Sequence, residues 1–384
     1  MATYYVRTDG LDTNTGTGSG TGSAWKTIGK ALGSTGIASG DTVWIAPGTY
    51  REAVTVNMTS ATAETFVKGD PTATQFSGVG EGPIIWSGFG TNDDTAPTGV
   101  PCNLNGRDYL SFSMIAFDGD DAFTGSACVS ATTQTSTNCK FTDCTFSGQN
   151  GSRGINIASA SLIALDWVIE RCVFLGQMDG VYISPTTSTT GADWDLNVQI
   201  KNCLAIAGDQ LVWVQGVFGN TFKAGGVDLY NCTAIGGGGL LTTGGNTSTT
   251  IPCTITNSLA IATTYRAIDA NVSGQITEDY NRLIDSTTAR NNVTAGTNSK
   301  TAGIHGIDQL RTYLFGLTSK RVLTAPSVSG IIDGDGTATG APTTDILGNT
   351  RPSPPSVGAH EINTLASGSA GILVHPGTSG GMRG

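Results

Sequence analysis

Short apolar segments recur along the chain at nearly regular intervals, and each of them ends in a small residue. Every copy holds about five residues that alternate in polarity or are wholly apolar, which is the length of a strand rather than of a helix. Five copies follow one another at steps of 28, 31, 29 and 26 residues. They lie at 143–148, 171–176, 202–207, 231–236 and 257–262, and two earlier copies lie at 84–88 and 115–119.

Further apolar runs lie between these copies, at 154–157, 180–183 and 210–214, and turn residues separate them. Each repeat therefore contains two or three strands, and each strand is followed about 29 residues later by its own copy. Such a strand lies parallel to its copy, roughly 4.8 Å away. The pattern predicts an all-β fold, a single-stranded right-handed parallel β-helix in which equivalent side chains stack in columns.

Two such columns can be read directly from the aligned repeats. One contains Cys144, Cys172, Cys203 and Cys232. Cysteine is small and often buried, so we expect this column to fill the interior, since a metal or redox site needs close cysteine pairs that this chain lacks. A second column, Asn202, Asn231 and Asn257, predicts an asparagine ladder at a turn, also with a structural role.

The two ends of the chain differ from the repeats. Residues 1–42 are assigned to an N-terminal strand, a loop and a short capping helix, and residues 43–362 to the β-helix. Ser23 is placed at the N-cap of a helix over 24–32, with Trp25, Ile28 and Leu32 on one face and Gly33 ending it. Such a helix would cover the open edge of the first coil.

The last segment, 363–384, is a Gly/Ser-rich tail that we expect to dock on a partner. Within it, the apolar run 371–375 is a candidate strand for pairing with a neighbouring molecule.

Composition narrows the possible functions. The 384 residues include 54 Gly, only 13% are charged, and the formal net charge is −10. That balance argues against binding to nucleic acid or to anionic membranes. No secretory signal or apolar run of about 18 residues is visible, so we expect a protein made in a cytoplasm, without a membrane span. Eight cysteines are too sparse for a disulfide framework.

Sequence motifs at both ends resemble a known superfamily. The opening contains YYVRTDG, AWKTIGKAL and GDTVWIAPGTYRE, and the far end contains DILGNTRP followed by VGAHE. These motifs are similar to those of the pectate-lyase-like β-helix superfamily, in its branch of bacterial and bacteriophage proteins. The likeness covers about residues 3–362. This fold hosts lyases, hydrolases, adhesins and virion parts, so the function has to be argued from a site.

Catalytic candidates are few. The resemblance to pectate lyases implies calcium held by carboxylates on adjacent rungs and an arginine base, and Arg153 and Arg171 are candidates for that base near Asp143, Asp166 and Glu170. The best carboxylate cluster is expected on turns of neighbouring coils, and we favour solvated turn residues over a catalytic role. Its members are Asp166, Glu170, Asp193 and Asp195. No cofactor or metal site is expected.

Aromatic residues leave two alternatives open. Trp167, Trp194 and Trp213 would either line a sugar-binding groove or pack between and within the coils, and packing is favoured.

Two classes of function therefore remain. The first is a non-catalytic structural or adhesive protein of a bacteriophage particle, such as a head decoration protein, fibre or tailspike, assembled in the host cytoplasm. Its expected partners are other virion or surface-assembly proteins, further copies in a homotrimer, and a glycan. The second class is a polysaccharide lyase or glycoside hydrolase acting on a surface polysaccharide.

Overall fold

The computed structural model describes residues 1–302 and 336–359, apart from short internal segments. Those segments are 34–35, 59–60, 89–98, 120–126, 133–135, 149–151, 159–163, 177–178, 185–192, 207, 217–220, 246–251, 262, 264 and 285–287. The tail 363–384 and its candidate strand at 371–375 lie outside the described residues.

The described residues form one helix and 29 strands, most of them three to five residues long. In chain order these elements are β1 (Thr3–Val6), α1 (Ile28–Leu32), β2 (Thr42–Ile45), β3 (Gly48–Arg51), β4 (Val54–Thr55), β5 (Thr65–Gly69), β6 (Ile84–Ser87), β7 (Cys102–Asn103), β8 (Leu110–Ser113), β9 (Ala116–Asp118), β10 (Ala127–Ala131), β11 (Cys139–Thr142), β12 (Thr145–Ser147), β13 (Arg153–Ile157), β14 (Ala164–Glu170), β15 (Val173–Leu175), β16 (Asp179–Ile183), β17 (Asp193–Lys201), β18 (Leu204–Ile206), β19 (Gln210–Gly216), β20 (Thr221–Tyr230), β21 (Thr233–Ile235), β22 (Leu241–Gly245), β23 (Cys253–Thr256), β24 (Leu259–Ile261), β25 (Arg266–Asp269), β26 (Ile276–Asp279), β27 (Arg282–Ile284), β28 (Thr288–Asn291) and β29 (Lys300–Ala302).

Each coil of the chain contributes one strand to each of three parallel sheets. The first sheet runs β1-β2-β5-β8-β11-β14-β17-β20-β23-β26. The second runs β3-β6-β9-β12-β15-β18-β21-β24-β27-β29, and the third β4-β7-β10-β13-β16-β19-β22-β25-β28. The chain is therefore a right-handed parallel β-helix, as its sequence pattern predicts.

The repeat read from the sequence is the repeat of the structure. The seven short segments become β6, β9, β12, β15, β18, β21 and β24, which are consecutive neighbours in the second sheet. The spacing also agrees, because Phe141 in the first sheet lies opposite Ile169, and Ile169 lies opposite Ile200. Unequal steps of 28 and 31 residues are tolerated because the extra residues fall in the connections between strands.

Stacked aromatic rings fill part of the interior. Phe117, Phe146 and Phe174 lie at equivalent positions of three successive coils, with ring centroids 5.3 and 4.9 Å apart and nearly parallel planes. All three are buried. Such a column removes apolar area from water on every coil, and this burial stabilises the solenoid.

The four cysteines of the repeats form a continuous interior column. The backbone nitrogen of Val173 donates to the carbonyl of Cys144 at 3.0 Å, and that of Leu204 donates to Cys172 at 2.9 Å. Thr233 bonds Cys203 in the same way, at 2.8 Å. All eight cysteines of the chain are free and buried. Burial raises the pKa of the Cys144, Cys172 and Cys203 thiols well above their usual range.

The N-terminal helix is shorter than the sequence pattern predicts. Helix α1 begins after Thr27, whose hydroxyl accepts a hydrogen bond from the backbone nitrogen of Lys30, so the predicted start at residue 24 with Ser23 as N-cap is wrong. Trp25 instead pairs with Val6 through a parallel bridge and stacks on Tyr4 at 5.0 Å. The same apolar spacing fits one longer helix and also a strand contact followed by a single helical turn. Periodicity alone does not distinguish the two.

Residues 336–359 lie across the outside of the second sheet, although the sequence assigned them to the coils. We call them the strap. Apolar strap residues pack on an apolar outer face of the sheet: Ile346, Val357 and Ala359 of the strap cover Val173, Leu204, Ile235, Leu259 and Ile261. Amides of the predicted asparagine column hold the strap through its backbone carbonyls.

The asparagine column faces this strap. Asn202, Asn231 and Asn257 have left-handed backbones with φ of 53°, 53° and 54°, a conformation that asparagine tolerates better than most residues. Their side-chain nitrogens donate to the carbonyls of Thr344 at 2.6 Å, Ser356 at 3.0 Å and Thr337 at 2.7 Å, respectively. Within the column, one bond of 3.4 Å joins Asn257 to Asn231. Stacking thus positions these amides, while the strap provides their shorter hydrogen bonds.

Candidate functional site

The predicted carboxylate cluster lies in strands of the first sheet rather than on turns. Asp166 and Glu170 belong to β14, and Asp193 and Asp195 belong to the next strand, β17. These strands, of 7 and 9 residues, extend further than the sequence pattern indicates. Asp166 and Asp195 point to solvent, and the side chain of Asp193 lies outside the described part of the chain.

Asp166 and Glu170 make separate contacts along the first sheet. Asn197 on the neighbouring strand donates to Asp166 at 3.0 Å. Glu170 pairs instead with Arg171 at 3.1 Å. Since Asp166 and Glu170 are four residues apart on one strand, their backbones are separated by roughly 13 Å. Asp166 and Glu170 therefore do not form an acid–base pair with each other.

The two candidate arginines are also engaged. Arg171 holds Asp143 through two hydrogen bonds, of 2.7 and 2.9 Å, and this pairing raises the pKa of the guanidinium. Arg153 lies instead on the third sheet, beside Asp179. Arg171 lies next to Asp143 and Glu170 as expected, but its guanidinium is engaged in ion pairs with them. Arg153 does not lie next to these carboxylates.

The three tryptophans separate into different environments. Trp167 is buried inside the coil and donates its indole N–H to the carbonyl of Ser136 at 2.7 Å, which is a packing role. Trp213 lies on the third sheet, and the side chain of Trp194 is outside the described residues.

The third sheet brings a different set of polar and aromatic side chains together. Equivalent positions of its consecutive strands form one column, which the register defines as Ser130, Asn156, Tyr182, Trp213, Thr242, Asp269 and Asn291. Successive members are about 4.8 Å apart along the helix axis. Tyr182 in this column belongs to a buried polar cluster, and Thr242 and Asp269 further along it line an open groove.

The polar cluster centres on Asp179, at the start of β16. Its side chain is 0% exposed and lies 3.6 Å from the Nε atom of Arg153. Gln210, at the equivalent position of the next strand, donates its amide to Asp179. The guanidinium of Arg153 stacks on the ring of Tyr182 at 3.4 Å, and the Tyr182 hydroxyl donates to Gln215.

Several buried polar atoms of this cluster have no hydrogen-bond partner. They are Nε of Arg153, Oδ1 of Asn156, Oδ2 of Asp179 and Nε1 of Trp213. A buried polar atom left without a partner costs about 1–3 kcal/mol, so native proteins pair almost all of them with protein, water or ligand. Two of these atoms, Nε of Arg153 and Oδ2 of Asp179, face each other as an ion pair at 3.6 Å.

The protonation of Asp179 is shifted by these surroundings. Burial raises its pKa to about 6, while the hydrogen bond from Gln210 and the charge of Arg153 oppose that rise. The charge of Asp209 adds to it. Burial also raises the pKa of Asp209 itself. Asp179 therefore changes charge near neutral pH rather than in acid.

A groove of about 460 Å³ adjoins the cluster and shares Gln210 with it. Its walls are formed by Asp209, Gln210, Gly238, Thr242, Tyr265, Arg266, Asp269 and Thr288. Tyr265 is 69% exposed. Arg266 pairs with Asp269 at 2.7 Å, and Asp269 also accepts a hydrogen bond of 2.8 Å from Asn291. The groove thus combines hydrogen-bonding groups with an open aromatic face.

Sequence reasoning missed this site, although its signal was present. The runs RGINI, DGVYI and QLVWV align as the third strand of three coils. That alignment places Arg153, Asp179 and Gln210 in one column and Asn156, Tyr182 and Trp213 in another. The groove itself had no such signal, because residues 265–269 and 209–210 meet only through the sheet.

Comparison with known proteins supports the fold. No family model matches the chain, and no curated protein matches it. Among solved structures, a rhamnogalacturonan lyase superposes with a TM-score of 0.52 at 17% identity, covering 74% of each chain. A pectate lyase matches at 0.45 and 14%, covering 94% of this chain and 97% of its own. The pectin methylesterase of Aspergillus niger matches at 0.41 and 14%, covering 86% and 92%.

These similarities are to proteins with a shared fold at low identity. The chain has the right-handed parallel β-helix of such proteins. Within the described residues, no group of three or more His, Cys, Asp or Glu side chains is arranged to hold a metal ion. No described helix is long and apolar enough to cross a membrane.

Proposed function

We propose that this protein is a non-catalytic structural and adhesive β-helix of a bacteriophage particle, such as a head decoration protein, fibre or tailspike, and that it holds a surface glycan in the groove of its third sheet. The observation that carries the adhesive role is the groove itself. It places the exposed ring of Tyr265 beside Gln210, Thr242 and Asp269 on a rigid sheet.

This combination suits a carbohydrate. A sugar presents apolar C–H faces and a rim of hydroxyls, which an open aromatic ring and fixed hydrogen-bonding groups can match together. Because the groups stand on strands of adjacent coils, their spacing is fixed by the rungs and little ordering is needed on binding.

The structural role is supported by the way the first coil and the outer face of the second sheet are covered. Helix α1 and strand β1 cover the first coil, and the strap covers the outer face of the second sheet. The likeness of the end motifs to bacterial and bacteriophage proteins supports the proposal that the chain is part of a bacteriophage particle. A homotrimer stays a prediction, which sedimentation equilibrium on the full chain would test.

Glycan binding is tested directly on an array of bacterial surface polysaccharides. We expect the full chain to bind a subset of the array and Tyr265→Ala to lose at least about fivefold in affinity, since an aromatic anchor contributes about 1–2 kcal/mol. Leu11→Ala is the matched control, because Leu11 is an exposed apolar residue far from the groove in the chain and should change nothing. Equal binding by both variants would contradict the assignment.

Membership of a particle is tested by mass spectrometry and immunogold imaging of purified phage. The chain should be present in a fixed stoichiometry and be labelled at the surface. Its absence from intact particles would refute this part of the proposal without affecting the glycan test.

A second candidate function, a polysaccharide lyase or glycoside hydrolase, is favoured by one observation. Asp179 and Asp209 both have raised pKa values, and perturbed carboxylates near a groove are typical of acid–base sites. Release of reducing ends or unsaturated products from an array-positive polysaccharide would support it. If turnover disappears in Asp209→Asn, or in Asp166→Ala or Glu170→Ala, the catalytic function replaces the adhesive function as the proposal.

A further inference from the structure

The charges of the groove are unevenly compensated. Arg266 is the one cation among the described residues that line it, and its guanidinium pairs with Asp269 at 2.7 Å. Asp209 also lines the groove and has no cationic partner among the described residues. Burial raises the pKa of Asp209. Its carboxylate is therefore the uncompensated charge of this groove.

The charged residues of the column that leads into the groove do not cancel the negative charge of Asp209. Arg153 lies 3.6 Å from Asp179 and covers the ring of Tyr182. Beyond the groove, Arg290 is held by Glu278 at 2.7 Å. The guanidinium groups near this face each lie beside a carboxylate, while one groove carboxylate does not have a cation. An anionic ligand would approach Asp209 without a counter-charge.

From this arrangement we propose that the groove selects neutral, hydroxyl-rich glycans and rejects polyuronates and other acidic chains. This inference rests on the proposed glycan-binding function and specifies the ligand class of the same site. Carboxylates accept hydrogen bonds from sugar hydroxyls, and such charge-assisted bonds are stronger than those to neutral acceptors. Asp209 and Asp269 thus attract hydroxyl groups while repelling ligand carboxylates.

The size of the discrimination follows from Coulomb's law. Two like charges about 4 Å apart in water repel by about 1 kcal/mol, which is about fivefold in affinity for each uronate placed next to Asp209. Partial burial of the carboxylate would increase this factor. Binding of a neutral chain should change less than twofold between about 0.05 and about 0.5 M salt, since it neutralises no charge.

The test uses one chain chemistry in two charge states. Polygalacturonate and its carboxyl-reduced, neutral form are compared on the full-length protein by isothermal titration calorimetry, alongside the polysaccharide array. We expect the bound members of the array to be neutral, and the reduced polymer to bind at least about fivefold more tightly than polygalacturonate. Tighter binding of polygalacturonate, or an array set dominated by acidic chains, would overturn the inference and leave glycan binding itself intact.

A charge variant gives an independent readout. Asp209→Asn should raise the affinity for acidic chains, relative to that for a neutral array ligand, by about fivefold, because the charge repulsion is removed. Asp166 is an exposed carboxylate of the first sheet, so Asp166→Asn is the matched control. It should change neither the affinity for acidic chains nor that for neutral chains. If Asp209→Asn and Asp166→Asn behave alike, Asp209 does not set the selectivity. If no glycan binds at all, the proposed function fails together with this inference.

Discussion

Arg351 donates a hydrogen bond of 2.8 Å to the side-chain oxygen of Asn202, which lies 149 residues earlier in the chain. The same guanidinium donates to the carbonyls of Gly358 and Ala359, at 2.9 and 3.0 Å. Its side chain is buried. This one side chain therefore fixes both the shape of the strap and its position on the β-helix.

Replacement of Arg351 should release the strap. Arg351→Ala removes these bonds and leaves buried carbonyls without partners, and we expect it to destabilise the strap contact by about 3 kcal/mol or more. Hydrogen exchange at the backbone amide of Ile346, which bonds Ala359 at 2.8 Å, should accelerate by at least about a hundredfold. Arg351→Lys should give an intermediate rate, and Lys26→Ala, an exposed cation, should leave it unchanged. Retained protection in Arg351→Ala would show that apolar packing alone holds the strap.

The phenylalanine column should be the most sensitive part of the core. Phe146 is fully buried between Phe117 and Phe174, so Phe146→Ala leaves a cavity and should cost about 3–5 kcal/mol of unfolding free energy. Phe146→Leu should cost no more than about 1.5 kcal/mol, because much of the volume is kept. Guanidinium unfolding followed by circular dichroism gives both values. A similar midpoint for the two variants would argue against a tightly packed column.

Asp179 predicts a pH dependence of stability with a defined sign. Its folded pKa of about 6 lies above the usual value of 3.8, so the folded state binds the proton more tightly than the unfolded chain. This carboxyl therefore subtracts stability progressively as pH rises from about 4 through about 6. Asp179→Asn lacks that penalty, and its stability relative to the unaltered chain should improve by about 2 kcal/mol between pH 4 and pH 7. Asp195→Asn, at an exposed site, should show a constant difference, and a constant difference in Asp179→Asn as well would refute the shift.

The cysteines should be chemically silent in the folded protein. All eight are buried, and burial raises the pKa of Cys139 and of Cys253 to about 12, so thiolate is scarce at neutral pH. A thiol-reactive chromogenic disulfide should label essentially none of them in the native chain and all eight in denaturant. Rapid labelling of even one thiol without denaturant would place that residue outside the packed interior.

The repeat unit was accessible to sequence reasoning because it is a local property written many times. Copies such as 171–176 and 202–207 each carry strand-forming residues, and parallel stacking of identical units is the one arrangement that puts Cys172 and Cys203 in contact. Short-range patterns were less informative at the ends. Trp25 fits helical spacing in the sequence, yet its bridge to Val6 holds it in an extended segment.

The candidate site shows the opposite balance. Asp166 and Glu170 are conspicuous carboxylates in the sequence, but the length of β14 spreads them along one strand. Asp179 and Gln210 are unremarkable in the sequence, and only their register in the third sheet joins them. The raised pKa of Asp179 depends on burial, which no linear pattern records.

The sequence alone determined the coil, the parallel stacking of successive coils and the residues that face inward. Each of these follows from strand periodicity repeated at a near-constant interval. The tertiary structure decided where the strap lies, which polar atoms are buried, and where the groove opens. Those features depend on contacts between residues as far apart as Asn202 and Arg351. Such contacts carry no local sequence signal, since the energy that selects them arises only when distant segments are packed together.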